Sequence, residues 1–178
     1  MGRSQADHRE ASAALRKIPN LGLLLNSELK GPNKYLALEI ISSLSVKSAL
    51  PELIRLSEND ENGAVHLTLA SLIDEKNAHQ IQLLFRSHLI ERRNQPVVVQ
   101  VVLLDTLARF RTPLSKEILL TLFKSEESEL RLSVLNFINL QADKEKTKIY
   151  RSVIDLALTD STDAVRLRAA AVENRATR

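Results

Sequence analysis

The sequence predicts an all-α protein, an α-solenoid of about five stacked helical hairpins. Three observations support this fold class. The pattern of apolar residues repeats every 29 to 35 residues, each period contains two short amphipathic segments, and polar turns separate the periods. In such an array each hairpin buries its apolar face only against its neighbours, so the hydrophobic core continues from one hairpin to the next.

Aligned apolar positions mark the first helix of each period. The reference positions are Leu36, Val65, Val99, Leu130 and Val165. Apolar residues recur two, four and five positions later in every period. Positions three and six are mostly polar, and we expect them to form the solvent-exposed stripe of an otherwise buried helix. The valines between Val97 and Val102 favour a strand by propensity, but the columns on both sides keep their register, which predicts a helix there too.

Two adjacent apolar residues mark the second helix of each period. These pairs are Leu53-Ile54, Leu83-Leu84, Leu119-Leu120 and Val153-Ile154. The turns between periods cover residues 58–63, 92–96, 124–128 and 159–163, and they are rich in Ser, Asp and Asn. Side chains of these types accept hydrogen bonds from the free amides that open a helix. Each turn therefore predicts the end of one helix and the start of the next.

The repeats define one expected domain, residues 1–178. Its predicted units are approximately 4–30, 31–60, 61–93, 94–125, 126–160 and a half repeat at 161–178. In the first unit an alanine-rich helix around Ala11 and Ala14 is followed by a break at Pro19 and a short second helix at 21–29. The half repeat has no second helix after it, and we expect its small apolar residues Ala169, Ala170 and Val172 to lack a covering helix.

One segment resembles a known repeat family. Residues 163–172, which begin Asp-Ala-Val-Arg, are similar to the start of the first helix of HEAT repeats, and residues 129–132 echo them. The other units carry Ala37, His66 and Gln100 where that family often has arginine, so armadillo-like or generic helical hairpins remain alternatives. The resemblance implies a right-handed stack with first helices on the convex side and second helices on the concave side. It specifies a shape better than an activity.

Composition excludes several classes of protein. No apolar run reaches the roughly 18 residues that cross a bilayer, and the polar start of the chain lacks a secretory signal, so we expect a cytoplasmic protein. Without cysteine the chain has no disulfide, thiolate metal site or cysteine nucleophile. The net charge is +3, and residues 1–60, 61–112 and 113–178 each carry one more basic than acidic residue. This even distribution disfavours a surface that follows nucleic-acid phosphates.

Candidate catalytic residues are few. The iron-binding deoxyhypusine hydroxylase family uses His-Glu pairs, whereas the histidines here, His8, His66, His79 and His88, are never followed by glutamate. DNA glycosylases of HEAT-like repeats use an acidic residue among aromatic side chains. Asp105 is a candidate acid, but the chain has no tryptophan and its other aromatic residues are scattered. Phycobilin lyase subunits share only the repeat shape. We therefore expect no catalytic site, no cofactor and no metal site.

The predicted function is a non-catalytic scaffold that binds a partner protein along the ridge of second helices. Polar residues at the expected exposed positions of these helices are the candidate partner-binding residues. They are Glu52, Arg55, Gln82, Arg86, Lys116, Thr121, Arg151 and Asp155. Guanidinium groups among them are suited to two-point contacts with carboxylates. The alternative is a nucleic-acid-binding or repair module that uses the same ridge.

Overall fold

The chain is helical wherever a regular structure is described. A computed structural model describes residues 10–92, 95–141 and 148–176, and within them no residue lies in a β-strand. The complete helices are α1 (Leu21–Glu28), α2 (Lys34–Leu44), α3 (Leu50–Ser57), α4 (Ala64–Ser71), α5 (Ala78–Glu91), α6 (Val97–Arg109), α7 (Lys116–Phe123), α8 (Ser128–Gln141), α9 (Arg151–Leu158) and α10 (Asp163–Ala176). A 3₁₀ turn covers Lys47–Ala49. The prediction of an all-α protein is confirmed, and the stacking into a solenoid stays a prediction.

The first predicted unit is helical where it is described. Residues 10–15 form a helix, and α1 follows the break at Pro19. Residues 4–9 lie outside the described residues. Both predicted segments of this unit are therefore helical over the part of the chain that can be described.

The chain divides into two compact units, with the division between Asn77 and Ala78. In the first unit α1 packs against α2 and the 3₁₀ turn, and α4 packs against both α2 and α3. Its core contains large side chains that are almost entirely removed from solvent. They are Leu29, Ile41, Leu53, Leu69 and Leu72. Burial of such aliphatic groups is the main stabilising contribution in a unit of this size.

The second unit contains two series of packed helices. α6 packs against α8, and α8 packs against α10, while α7 packs against α9. The consecutive pairs α5–α6, α7–α8 and α9–α10 also pack together. Phe85 and Phe137 are fully buried, as are Leu103, Leu119 and Val165. The helix with the valine run, α6, is among the most buried, which agrees with its predicted helical state.

Consecutive helices pack together across the boundaries of the predicted units. Each of α3–α4, α5–α6, α7–α8 and α9–α10 joins the second helix of one predicted unit to the first helix of the next. The last helix, α10, packs against α8 and α9, and its Ala169 and Val172 are buried. The expectation that these small residues lack a covering helix is therefore wrong.

The expected exposed stripe of the first helices is wrong at one of its two positions. Thr68, Val102 and Ser133, three residues after the reference positions, are buried. Leu67 and Leu167, at the second position, are 56% and 73% exposed. At roughly 100° per residue, the second and sixth positions lie about 40° apart, whereas the third lies within about 60° of the buried reference position. In α4 and α10 the exposed stripe therefore combines the second and sixth positions. In α2 the register differs, because the reference residue Leu36, predicted to lie in the core, is 57% exposed and Leu38 is buried, while Glu39 is exposed as predicted.

The second-helix pattern is displaced in α5. Leu83, which the repeat placed in the core, is 52% exposed, whereas Ile81 and Phe85 are fully buried. In α5 the buried residues thus lie two positions before and two positions after the predicted core residue Leu83. Leu53, Leu119 and Val153 occupy the core in α3, α7 and α9 as predicted.

Polar side chains in three of the predicted turns bond to backbone amides just before or at the start of the next helix, but α4 and α6 begin without a side-chain cap, since their N-cap residues are Gly63 and Pro96. Asn62 Oδ1 accepts a hydrogen bond from the amide of Ala64, and Ser125 Oγ accepts one from Glu127. Asp160 Oδ1 accepts a hydrogen bond from the amide of Thr162 at 2.8 Å. These contacts satisfy amides that have no partner within the helix that follows.

Candidate interaction surface

The eight predicted partner-binding residues lie on α3, α5, α7 and α9. Five of them are exposed: Arg55, Arg86, Thr121, Arg151 and Asp155. Glu52, Gln82 and Lys116 are partly buried. Two of the eight belong to the first unit and six to the second, so each set is described separately.

In the first unit, Glu52 and Arg55 bind each other. The Arg55 guanidinium donates two hydrogen bonds to the Glu52 carboxylate, at 2.7 and 3.1 Å. Lys30 Nζ lies 3.6 Å from the same carboxylate. The hydrogen bond from Arg55 and the positive charges of Arg55 and Lys30 lower the pKa of Glu52, although its partial burial acts in the opposite direction. A partner that uses Arg55 must compete with this internal pair.

In the second unit, Arg151 is also held within the chain. Its Nε donates to Asp155 at 2.8 Å, and its Nη2 lies 2.7 Å from Glu173 on α10. The hydrogen bond with Glu173 and the negative charge of Asp155 raise the pKa of Arg151. The Arg151–Glu173 ion pair links α9 to α10. Because the three side chains are partly exposed, we assign them little stabilising energy.

The two predicted residues of α5 differ in role. Gln82 Oε1 accepts a hydrogen bond from the Thr112 hydroxyl at 3.2 Å, which ties α5 to the segment after α6. Arg86 is exposed, and among the described residues no carboxylate forms an ion pair with it. Of the predicted arginines, Arg86 is thus the one whose charge is available to a partner without breaking a described contact.

A groove lies within the second unit, beside the predicted residue Thr121. Its volume is about 330 Å³, and α5, α6, α7 and α8 contribute to it. Its apolar lining residues, which we call its floor, are Leu89, Ile90, Ile118, Leu122 and Leu130. Of the eight predicted residues, Thr121 lines this groove. The sequence analysis missed the floor because those residues come from three helices.

Opposite charges border the groove. Glu117 and Lys124, which lie at the two ends of α7, both line it. Hydrogen bonds from its own backbone amide and from the Ser115 hydroxyl lower the pKa of Glu117. Glu117 is therefore ionised at neutral pH. The groove combines an apolar floor with one anionic and one cationic side chain.

A recurring polar contact follows the reference position of four first helices. The residue one position after it bonds to the turn that precedes its own helix. His66 bonds to Asp60, Gln100 Nε2 donates to the carbonyl of Gln95, Arg131 Nη1 donates to the carbonyls of Ser125 and Glu126, and Arg166 Nη1 donates to the carbonyl of Asp160. Different residue types thus make the same local connection at the same place in the repeat.

The His66 contact is entirely buried. Asp60 Oδ2 accepts hydrogen bonds from the backbone amide and from Nδ1 of His66, at 3.0 and 2.7 Å. Burial alone would raise the pKa of Asp60, but the His66 hydrogen bonds and the charges of His66 and Lys34 hold it below its ordinary value. The local role of His66 is to fix the turn before α4.

The described residues contain no cluster of three or more His, Asp or Glu side chains arranged to hold a metal ion. His79 is exposed and His88 is buried, on opposite sides of α5. Asp105 is exposed and accepts a hydrogen bond from the Ser133 hydroxyl at 2.6 Å. Its described contact joins α6 to α8 and gives no indication of a reacting group.

Most aromatic side chains belong to the core. Phe85, Phe123, Phe137 and Tyr150 are buried, and the Tyr150 hydroxyl donates to the carbonyl of Leu114 at 3.0 Å. A platform for stacking bases requires exposed rings that lie close together. The burial of these four rings therefore argues against their use in base stacking.

Comparison with protein-family models, with curated proteins and with solved structures finds no match to this chain. Within the described ranges, no helix is both long enough and apolar enough to cross a membrane.

Proposed function

We propose that this protein is a non-catalytic interaction module built from HEAT-like helical repeats. The recurring contact between the residue after the reference position and the preceding turn supports the repeat assignment. The packing of α6, α8 and α10 in series within the second unit also supports it. In the proposed arrangement the hairpins form a right-handed stack, with first helices on the convex side and second helices on the concave side.

The groove in the second unit is the observation on which the binding function rests. The groove has a volume of about 330 Å³ and an apolar floor, and it has room for one or two apolar side chains of a partner. Glu117 favours a partner segment with a basic residue close to it, and Lys124 favours an acidic residue on the same segment. The proposed ligand is therefore an amphipathic protein segment with charges of both signs.

The ridge of second helices extends this site. Arg86 lies on α5, the helix that also supplies Leu89 and Ile90 to the groove. Its exposed guanidinium is suited to a carboxylate of the same partner segment. Arg55 and Arg151 contribute less, because each must first leave an internal carboxylate. Within the predicted ridge, Thr121 and Arg86 are the residues that we assign to partner contact.

A pair of matched substitutions tests the groove. Thr121→Arg places a long side chain over the floor, and Thr159→Arg places the same side chain outside it. Each threonine hydroxyl donates to a backbone carbonyl three or four residues earlier, so the two changes remove equivalent local bonds. Partners recovered with the wild-type protein and identified by mass spectrometry are expected to be lost with Thr121→Arg and retained with Thr159→Arg. Equal recovery by both variants would exclude the groove.

Duplex DNA is the control ligand for this proposal. A protein that follows phosphates binds DNA tightly at low salt and loses affinity steeply as salt increases. The proposed module binds DNA weakly or not at all under both conditions, and fluorescence anisotropy measures this directly. Tight, salt-sensitive DNA binding that Thr121→Arg does not weaken would replace the proposal with the nucleic-acid-binding alternative.

A further inference from the structure

The helix α7 carries a charge pattern that is complementary to itself. Glu117 and Lys124 stand seven residues apart, so at about 100° per residue their side chains project within about 20° of each other. Thr121 lies between them on the same side, and all three side chains are exposed. Neither charged side chain forms an ion pair with another of the described residues. One side of α7 thus presents an anionic end and a cationic end, and both are available to a partner.

Two copies of this side of α7 match only when the two helices run in opposite directions. A two-fold axis that passes midway between Glu117 and Lys124 places the carboxylate of each copy opposite the ammonium group of the other. A parallel alignment places like charges opposite each other, which disfavours association. In a two-fold dimer the same surface serves both copies. The charge pattern therefore selects an antiparallel, two-fold arrangement.

The neighbouring helix α9 supplies an exposed apolar side chain. This helix packs against α7 but contributes no residue to the groove, which lies on the α5 side of α7. Leu156 is 49% exposed. It lies about 140° around α9 from Arg151, which pairs with Glu173 on α10, and the buried residues Val153 and Ala157 lie between the two. Leu156 is therefore on the side of α9 that faces α7.

The two-fold axis brings this leucine to the groove of the other copy. The helices follow one another in the order α5, α7, α9, with the groove between the first two. Because the axis passes through α7, the order is reversed in the other copy, and its α9 lies over the groove. Leu119 and Val153 are corresponding core residues of α7 and α9, so Leu156 stands at the height of Leu122. The axis moves Leu156 to the height of Leu119, next to Ile118 on the groove floor.

We propose that the protein forms a two-fold dimer through α7, in which Glu117 of each copy pairs with Lys124 of the other and Leu156 of each copy enters the groove of the other. The inference rests on the groove of the proposed function, since a partner segment and the second copy compete for it. The dimer keeps the binding site closed until a partner displaces the second copy. Exposed ion pairs contribute little energy and are screened by salt, so the dimer is weak and salt-sensitive.

Charge exchange between two variants tests this arrangement with the purified chain alone. Glu117→Lys makes both ends of the contact cationic and Lys124→Glu makes both anionic, so each variant is expected to dimerise roughly tenfold more weakly than wild type, or less still. An equimolar mixture of the two restores opposite charges at both contacts and is expected to form a heterodimer of wild-type affinity. Sedimentation equilibrium at low ionic strength measures these affinities. Glu129→Lys, which also removes an acidic residue from the first turn of a helix, is the matched control and leaves dimerisation unchanged.

Leu156→Ser tests the apolar contact, and Leu167→Ser, which changes a leucine that is 73% exposed on α10, is its control. We expect the first change alone to weaken the dimer. A wild-type chain that stays monomeric, or a mixture of the two charge variants that does not associate, would overturn the proposal, and so would a dimer that Leu156→Ser leaves unchanged. Loss of partner recovery with Thr121→Arg beside a monomeric wild type would exclude the dimer and retain the proposed function, so the two failures are distinguishable.

Discussion

Arg131 and Asp160 form a bidentate ion pair, with nitrogen to oxygen distances of 2.8 and 3.0 Å, and both side chains are about nine-tenths buried. Arg131 also donates to the carbonyls of Ser125 and Glu126 in the turn before α8. One side chain thus connects the turns that open α8 and α10. Within the second unit this contact sets the register between two helices that pack together.

Replacing Arg131 by glutamine is expected to destabilise the protein by about 3 kcal/mol, since the change leaves a buried carboxylate without its counter-charge. Arg166→Gln is the matched control. It removes a guanidinium at the equivalent position of the next repeat, but from an exposed pair, so the expected loss is less than about 1 kcal/mol. Urea denaturation followed by circular dichroism gives both values. Equal losses would show that the Arg131 pair is no stronger than a surface pair.

The stability supplied by Asp160 is expected to disappear at acidic pH. Burial alone would raise the pKa of Asp160, but the hydrogen bond and charge of Arg131 and the bond from the Thr162 amide hold it below its ordinary value. A carboxyl whose pKa is lower in the folded state stabilises that state fully above the unfolded pKa of about 3.9, and the contribution is lost as the pH falls through the folded pKa.

Comparison of wild type with Asp160→Asn isolates this carboxyl, because both proteins share every other titrating group. The difference between their free energies of unfolding is expected to stay constant from pH 7 to about pH 5 and to shrink below about pH 4. Denaturant titrations at a series of pH values measure it. A difference that shrinks between pH 7 and pH 5 instead would assign the effect to another group.

The helices were predictable from the sequence because their apolar positions follow a helical period. This holds even for α6, where the run from Val97 to Val102 favours a strand by propensity but forms a helix. Whether a single position is buried or exposed was less predictable. Thr68 and Ser133 are polar but buried, since their hydroxyls donate to the Ala64 carbonyl and to Asp105.

Contacts between distant residues were not predictable from the pattern. The resemblance to HEAT repeats drew attention to Arg131, but its partner Asp160 lies 29 residues further along the chain. The groove was not predictable for the same reason, because Leu89, Leu122 and Leu130 come together only after α5, α7 and α8 have packed. Of the predicted ridge residues, the groove includes Thr121. Periodicity identifies which residues face a core, but the geometry between helices decides which of them line a depression.

Gly63 occupies the position before α4 with φ of 78°, in the left-handed region that other residues adopt at a cost. Gly63→Ala is expected to lower the free energy of unfolding by about 1 kcal/mol. Gly31→Ala is the control, since the added Cβ lies 3.7 Å from its nearest neighbour and the backbone there is ordinary. Thermal denaturation of wild type and of both variants measures the two losses of stability. A larger loss for Gly31→Ala would contradict the backbone explanation.

The buried hydroxyl of Tyr150 donates to the carbonyl of Leu114 at 3.0 Å, and burial raises the pKa of this phenol. Tyr150→Phe leaves that carbonyl without its donor, and we expect a loss of about 1 kcal/mol at neutral pH. Tyr35→Phe is the matched control. Tyr35 is 59% exposed and its hydroxyl accepts from Asn62 Nδ2, so water replaces the lost contact and the expected change is smaller.

The raised pKa adds a test at alkaline pH. Because the folded state keeps the Tyr150 phenol neutral, its contribution is fully present below the unfolded pKa of about 10 and is lost as the pH rises through the folded value. The stability of wild type is therefore expected to decline faster than that of Tyr150→Phe above about pH 10. Parallel declines, measured by denaturant titration at matched pH values, would show that Tyr150 ionises as readily in the folded state as in the unfolded one.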